Sequence, residues 1–133
     1  LCSMGVDIRP FIADAQRIER QTGIPASITL GQIILESGGK YPGGLSGLAY
    51  EHKNLFGIKG KGTAGSANMW SKEYDAAGNR VSGFRKYNTF GESLDDHTRV
   101  LQLDRYTKYF KDAKTVEDFA RGLQKGGYAT DAG

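Results

Sequence analysis

The stretch that most constrains this chain is Ser27-Ile28-Thr29-Leu30-Gly31-Gln32-Ile33-Ile34-Leu35-Glu36-Ser37, closed by Gly38-Gly39-Lys40. Leu30, Ile33, Ile34 and, a turn later, Ser37 fall on one side at i, i+3, i+4 and i+7, while Thr29, Gln32 and Glu36 line the adjacent stripe. Ile24-Pro25 leads in, Ser27 is the expected N-cap, and the paired glycines stop the helix. The pattern predicts a largely buried helix with one carboxylate on a polar seam in its last turn. A helix C-terminus carries partial negative charge, which disfavours a second anion there. Apolar neighbours withdraw hydration and act in the same direction, so both effects raise the pKa of Glu36. A carboxyl kept protonated near neutral pH is what general-acid catalysis needs. Taken alone, the same residue also fits a solvated helix end.

With 133 residues the chain is expected to form a single domain. Its 19 glycines lie mostly between periodic segments and form no repeat, which indicates a loop-rich fold rather than disorder. A formal charge of +3 suits an anionic polymer, but no Lys/Arg cluster is interleaved with aromatics, so nucleic acid is not an expected partner. Apolar stretches run only a few residues, and no membrane insertion is expected. Cys2 is the single cysteine, so no internal disulfide can form. With His52 and His97 far apart, no metal site, no cofactor and no Ser-His-Asp or Cys-His nucleophile is predicted. The chain begins at Leu1 without methionine, and Leu1-Cys2-Ser3 is not a signal peptide. A piece of a longer protein is therefore expected, with export, and any lipid on Cys2, left to the parent.

Read in order, Asp7 is expected to cap a helix from Ile8 to Gln21, with Pro10 in its opening turn and Gly23 ending it. Phe11, Ala15, Ile18 and Thr22 give that helix a core face. Ser37 to Gly47 reads as a loop, and Leu48 to His52 as a helical turn. In Lys53-Asn54-Leu55-Phe56-Gly57-Ile58-Lys59-Gly60 the apolar residues anchor the segment and the glycines permit unusual backbone angles. Gly60 to Asn68 is too rich in small residues to predict regular structure. Met69 to Asp75 and Arg80 to Lys86 read as a hairpin around Ala76-Ala77-Gly78-Asn79. Trp70, Lys72 and Tyr74 would share one face; Met69, Ser71, Glu73 and Asp75 the other. Thr89-Phe90-Gly91-Glu92 fits a capping box opening a helix to about Leu103, with Leu94, His97, Val100 and Leu101 inward. His97 is expected at the edge of that face, hydrogen-bonded. Thr115-Val116-Glu117-Asp118 opens a last helix to Lys125, ended by Gly126 and Gly127. The fold class predicted is α+β, mainly α, with one small hairpin.

Three segments in this order carry more than any single residue. They are Leu35-Glu36-Ser37-Gly38, Asn54-Leu55-Phe56-Gly57-Ile58-Lys59-Gly60 and Tyr128-Ala129-Thr130-Asp131, joined by Phe84-Arg85-Lys86-Tyr87 and Glu92-Ser93-Leu94-Asp95-Asp96-His97. Together they resemble the peptidoglycan N-acetylglucosaminidases of glycoside hydrolase family 73, over roughly Ile24 to Asp131. The resemblance implies a lysozyme-like fold, in which a helical body and a β-hairpin lobe flank a glycan groove. It implies peptidoglycan glycan strands as partner, cut at the β-1,4 bond between N-acetylglucosamine and N-acetylmuramic acid by a monomer in the cell wall or outside the cell. Glu36 matches the family's general acid, Glu73 its second carboxylate, and Tyr128 a tyrosine near the cleavage site. Glu73 also fits an exposed charge in a cross-strand ion pair. Asn54 is a candidate for the N-acetyl group or for stabilising its own loop. Phe56, Trp70 and Tyr74 are candidates for sugar faces, although Phe56 and Phe90 suit the core and Trp70 could support the hairpin. Many members carry an aromatic residue and a glycine after Glu-Ser-Gly. Here Gly38 leads to Gly39-Lys40-Tyr41, leaving Tyr41 as the substitute aromatic.

Two matters stay open in the sequence. Glu73 could serve as the base of an inverting mechanism, directly if it sits a water's width beyond Glu36 or after the hairpin closes over the glycan if it is farther away, or the substrate's 2-acetamido group could act as nucleophile instead. A lytic transglycosylase or muramidase of the same fold, or a non-catalytic wall-binding module, would also fit the groove.

Overall fold

Pro10 removes a backbone donor, and the chain accordingly enters its first helix through a short 3₁₀ turn, Arg9–Phe11, before α1 (Ile12–Thr22) begins. Asp7 Oδ1 accepts the Arg9 N–H at 3.1 Å, but the N-cap positions are Ile8 for the 3₁₀ turn and Phe11 for α1, so Asp7 caps neither and the α-helix starts later than predicted. Phe11, Ala15 and Ile18 are buried. Gly23 ends α1 in the left-handed conformation, φ 79°, which costs a residue without Cβ little. The computed structural model describes residues 5–68, 77 and 83–128.

The second helix, α2 (Ala26–Ser37), corrects two expectations. Ser27 lies inside the helix and does not cap it; the Ala26 N–H is taken instead by Glu19 Oε1 of α1 at 2.7 Å. Its buried face consists of Ile28, Thr29, Gln32, Ile33 and Ser37, while Ile34 is 46% and Leu35 83% exposed. A helix apolar nearly all round does not state which stripe faces the core, and packing against α1 selects the one containing Thr29 and Gln32. Ser37 satisfies its buried hydroxyl by donating to the Ile33 carbonyl at 2.5 Å.

Beyond α2 the chain forms a short exposed strand, β1 (Gly38–Tyr41), bridged to Leu45, where a loop was expected. Close approach makes this possible: a Cβ on Gly39 would stand 2.6 Å from the Ser46 Cα. After a 3₁₀ turn (Pro42–Gly44), α3 (Gly47–His52) is capped by Ser46, whose Oγ accepts the Ala49 N–H at 3.2 Å. Strands β2 (Gly65–Asn68) and β3 (Gly83–Lys86) pair antiparallel, with Gly65 opposite Lys86 and Asn68 opposite Gly83. The small residues of 65–68 therefore do hold a strand, because the partner chain segment supplies the hydrogen bonds. The rest of the expected hairpin, including Trp70, Glu73 and Tyr74, lies outside the described residues.

The capping box at Thr89 and Glu92 opens α4 (Phe90–Leu101), and a second one at Thr115 and Asp118 opens α6 (Val116–Lys125). Between them stands α5 (Asp104–Phe110), which the sequence reading did not anticipate; it packs on α6 and buries Tyr106. Phe11, Ile18, Ile33, Leu55, Leu94, Leu101 and Tyr106 form the centre of one core drawn from the first 3₁₀ turn, α1, α2, the loop after α3, α4 and α5. Phe90 meets Phe11 edge-on at 5.2 Å. Among the described residues no helix is long and apolar enough to cross a membrane. The architecture is α+β, mainly helical, with a two-stranded antiparallel sheet among the described residues.

Candidate active site

The last turn of α2 carries Glu36 to the wall of an open cleft of about 490 Å³. Across it stand the loop Phe56–Lys59, Arg85 of β3, Arg99 and Val100 of α4, and Arg105 and Tyr106 of α5. Glu36 is exposed, and no described side chain bonds or ion-pairs with its carboxyl. Removal of part of its hydration raises its pKa above the ordinary glutamate value of 4.5.

Tyr128 lines the same cleft. The turn after α6 puts it there: Gly127 takes φ 86°, and the Tyr128 N–H donates to the Leu123 carbonyl at 3.0 Å. Its hydroxyl is buried and unbonded. Burial first, then the nearby charge of Glu36, drives its pKa upward, so the phenol keeps its proton. Glu36 and Tyr128 also border a second, apolar cleft of about 290 Å³ between α2 and α6, lined by Gly31, Leu35, Val116 and Ala120. The two residues thus stand where the clefts meet.

His97 lies behind Tyr128. It is fully buried, stacked on Phe56 with centroids 3.7 Å apart and planes at 13°, and meets Tyr128 edge-to-face at 5.6 Å. Neither ring nitrogen is hydrogen-bonded, which corrects the expectation of a bonded residue at a helix edge. Desolvation drives its pKa down to about 3, against a smaller opposing pull from Asp96, and the ring is neutral. Gln32 Oε1, also buried, is likewise unpartnered.

Asn54 is buried, and its amide is spent on the backbone. Its Nδ2 donates to the carbonyls of Ile58 and Arg85, both at 2.9 Å, while Oδ1 accepts from Phe56 N–H at 3.3 Å and Ile58 N–H at 3.2 Å. It ties the cleft loop to β3 and offers nothing to a ligand. Phe56 is a core residue, 4% exposed, whose segment forms the cleft wall. Tyr41, expected to supply an aromatic beside Glu36, instead lies against Tyr50 at 5.4 Å, and the neighbouring Glu51 carboxylate raises its pKa. It borders a different cleft with Ile34, Gly39 and Lys40.

A set of charges went unread in the sequence. Asp96 receives Arg85 Nη1 at 2.7 Å, Arg99 Nη2 at 2.7 Å and the Tyr87 hydroxyl at 2.5 Å. Burial would raise its pKa, but the bonds from Tyr87, Arg99 and Arg85 hold it below the ordinary value. The i, i+3 spacing of Asp96 and Arg99 was the available local signal; Arg85 and Arg105 gave none. Among the described residues no group of three or more His, Cys, Asp or Glu could hold a metal ion.

Residues 12–133 match the family model described as mannosyl-glycoprotein endo-beta-N-acetylglucosaminidase. The chain is 36% identical over 126 residues to the exo-glucosaminidase LytG of Bacillus subtilis, covering 88% of this chain and 43% of that protein. It is 35% identical over 144 residues to the peptidoglycan hydrolase FlgJ of Pseudomonas aeruginosa, covering 97% of this chain and 34% of the relative. The chain thus spans less than half the length of these relatives. The crystal structure of the catalytic domain of the autolysin Auto from Listeria monocytogenes superposes with a TM-score of 0.71 at 31% identity, covering 98% of this chain and 80% of that one.

Proposed function

The chain belongs to the glucosaminidase family, and on that premise we propose that it hydrolyses peptidoglycan at the β-1,4 bond between N-acetylglucosamine and N-acetylmuramic acid, with Glu36 as general acid. One observation carries the assignment. Glu36 has a carboxyl with raised pKa and no described partner, placed with Tyr128 where two clefts meet. A protonated carboxyl there can deliver its proton to the leaving glycosidic oxygen as the bond breaks. Each cleft then holds glycan on one side of the scissile bond. The names of the relatives LytG and FlgJ, a glucosaminidase and a peptidoglycan hydrolase, support this substrate.

Tyr128 keeps its proton and so works as a hydrogen-bond donor, orienting the acetamido group or the attacking water. Glu73 is the proposed second carboxylate. Acting as base on a water, it needs a separation of roughly 6.5–9.5 Å from Glu36; otherwise the acetamido group takes the nucleophile's role. Trp70 and Tyr74 are the proposed stacking surfaces for sugar rings, and Asn54 and Phe56 act by shaping the loop that walls the cleft. The proposed site of action is the bacterial wall, with the domain working as a monomer.

The test is product analysis: digest purified peptidoglycan, reduce with borohydride, and identify the new ends by mass spectrometry for wild type, Glu36→Gln and Glu73→Gln. Reduced N-acetylglucosamine ends that vanish with Glu36→Gln support the assignment. Muramic acid or anhydromuramic acid ends would move the chain to the muramidase or transglycosylase reading, and binding without product would leave a wall-binding module.

A further inference from the structure

We propose that the cationic wall of the Glu36 cleft binds the carboxylates borne on the lactyl-peptide arm of muramic acid, so that the site selects anionic glycan strands over neutral ones. The inference rests on the glucosaminidase reading above and names the feature of the strand that the cleft recognises.

Charge bookkeeping in the cleft carries it. Arg85, Arg99 and Arg105 line the same cavity as Glu36. Arg85 and Arg99 share one carboxylate, Asp96, with which each forms an ion pair at 2.7 Å. Among the described residues these ion pairs set two guanidinium groups against one carboxylate, a surplus of positive charge. Arg105 has no ion pair among the described residues; its guanidinium lies 4.8 Å from the Tyr106 ring centre, which leaves its donors to face solvent. Glu36 is the one carboxylate among the described lining residues.

The cleft on the other side of Glu36 and Tyr128 has the opposite character. Gly31, Leu35, Val116 and Ala120 line it, with no cation among its described residues. Polarity therefore changes at the point where the bond is cut. An apolar trough suits the faces of neutral sugar rings. Partly desolvated guanidinium groups suit carboxylates, which they bind with two parallel hydrogen bonds. N-acetylglucosamine is neutral, whereas muramic acid carries a lactyl group that ends either in a free carboxylate or in a peptide stem with carboxylates of its own.

The experiment compares initial rates on three substrates: stem-bearing strands, strands stripped of stems with free lactyl carboxylates, and stripped strands whose lactyl carboxylates are capped as methylamides. Wild type should cleave at least one anionic substrate about tenfold faster than the capped one, the increment expected of one charge-assisted contact. Raised salt should shrink that advantage. The faster anionic substrate identifies whether the lactyl or the stem carboxylate is read. Arg105→Gln should narrow the gap by lowering the anionic rates alone, and Arg105→Lys should retain most of it. Equal rates on all three substrates, or an Arg105→Gln loss shared equally among them, would overturn the proposal. No cleavage of any of them by folded wild type would overturn the glucosaminidase reading and this inference with it.

Discussion

The imidazole of His97 lies flat against the ring of Phe56, 3.7 Å between centroids, with both nitrogens buried and unbonded. A titratable group is thereby used as an aromatic core residue. It connects the cleft loop, through Phe56, to the aromatic behind Glu36, through Tyr128.

This arrangement makes stability pH-dependent with a definite sign. The folded-state pKa of His97 is about 3 against an ordinary 6.5. Between those values the unfolded chain binds a proton that the folded chain does not, so stability is full above pH 6.5 and is lost as pH falls toward 3. The slope expected from this one group is about 1.4 kcal/mol per pH unit. Urea midpoints at several pH values for wild type and His97→Phe provide the check, because the carboxylates common to both cancel in the difference. Parallel pH dependences would remove His97 as the cause.

In the proposed general-acid role Glu36 acts in its protonated form, and a raised pKa extends the range of that form upward from that of an ordinary glutamate. Activity should therefore fall as pH rises through a pKa above 4.5 on the basic limb of kcat/KM. Glu36→Gln should lower kcat by about 10² to 10⁴-fold without loss of fold by circular dichroism. A variant keeping more than a tenth of wild-type activity would place the acid elsewhere.

For Tyr128→Phe, stability and activity should separate. The hydroxyl is buried without a partner, so its removal relieves a cost and should raise stability by about 1 kcal/mol. If the hydroxyl orients the reacting groups, kcat should drop more than about tenfold in the same protein. Thermal melts and kinetics on one preparation read both; an unchanged kcat assigns Tyr128 to packing alone.

Asn54 should show the reverse, a structural effect first. Asn54→Ala removes the side-chain bonds to the Arg85 carbonyl and to the Phe56 and Ile58 N–H groups, and one of the two bonds to the Ile58 carbonyl, which keeps the Arg85 N–H at 2.9 Å. The expected cost is about 2–4 kcal/mol, read as a lower denaturant midpoint with unchanged m-value. Asn54→Asp should be no milder, since a carboxylate oxygen would face the carbonyls of Ile58 and Arg85. A neutral Asn54→Ala would mean that the loop is held by other contacts, such as the bond that Ser93 Oγ accepts from Leu55 N–H at 3.1 Å.

The features that the chain alone determines are those whose partners lie within a few residues. Thr89 and Glu92, Thr115 and Asp118, and Ser46 with the Ala49 N–H satisfy helix ends across three residues, and each was legible or nearly so in the local pattern. Glu36 at the end of an apolar helix belongs to the same class, as does the order of segments that carries the family likeness. Tertiary structure decided the remainder. Glu19, seven residues away, caps α2 where Ser27 was the local candidate. Gly65–Asn68 is a strand only because Gly83–Lys86 lies beside it. The stripe of α2 that is buried, the place of Tyr41 in another cleft, and the gathering of Arg85, Arg99 and Arg105 opposite Glu36 all depend on which elements pack together. Local hydrogen bonds span one turn of chain and are written in neighbouring residues. Burial and long-range charge are properties of the assembled surface, which exists only once the helices have docked.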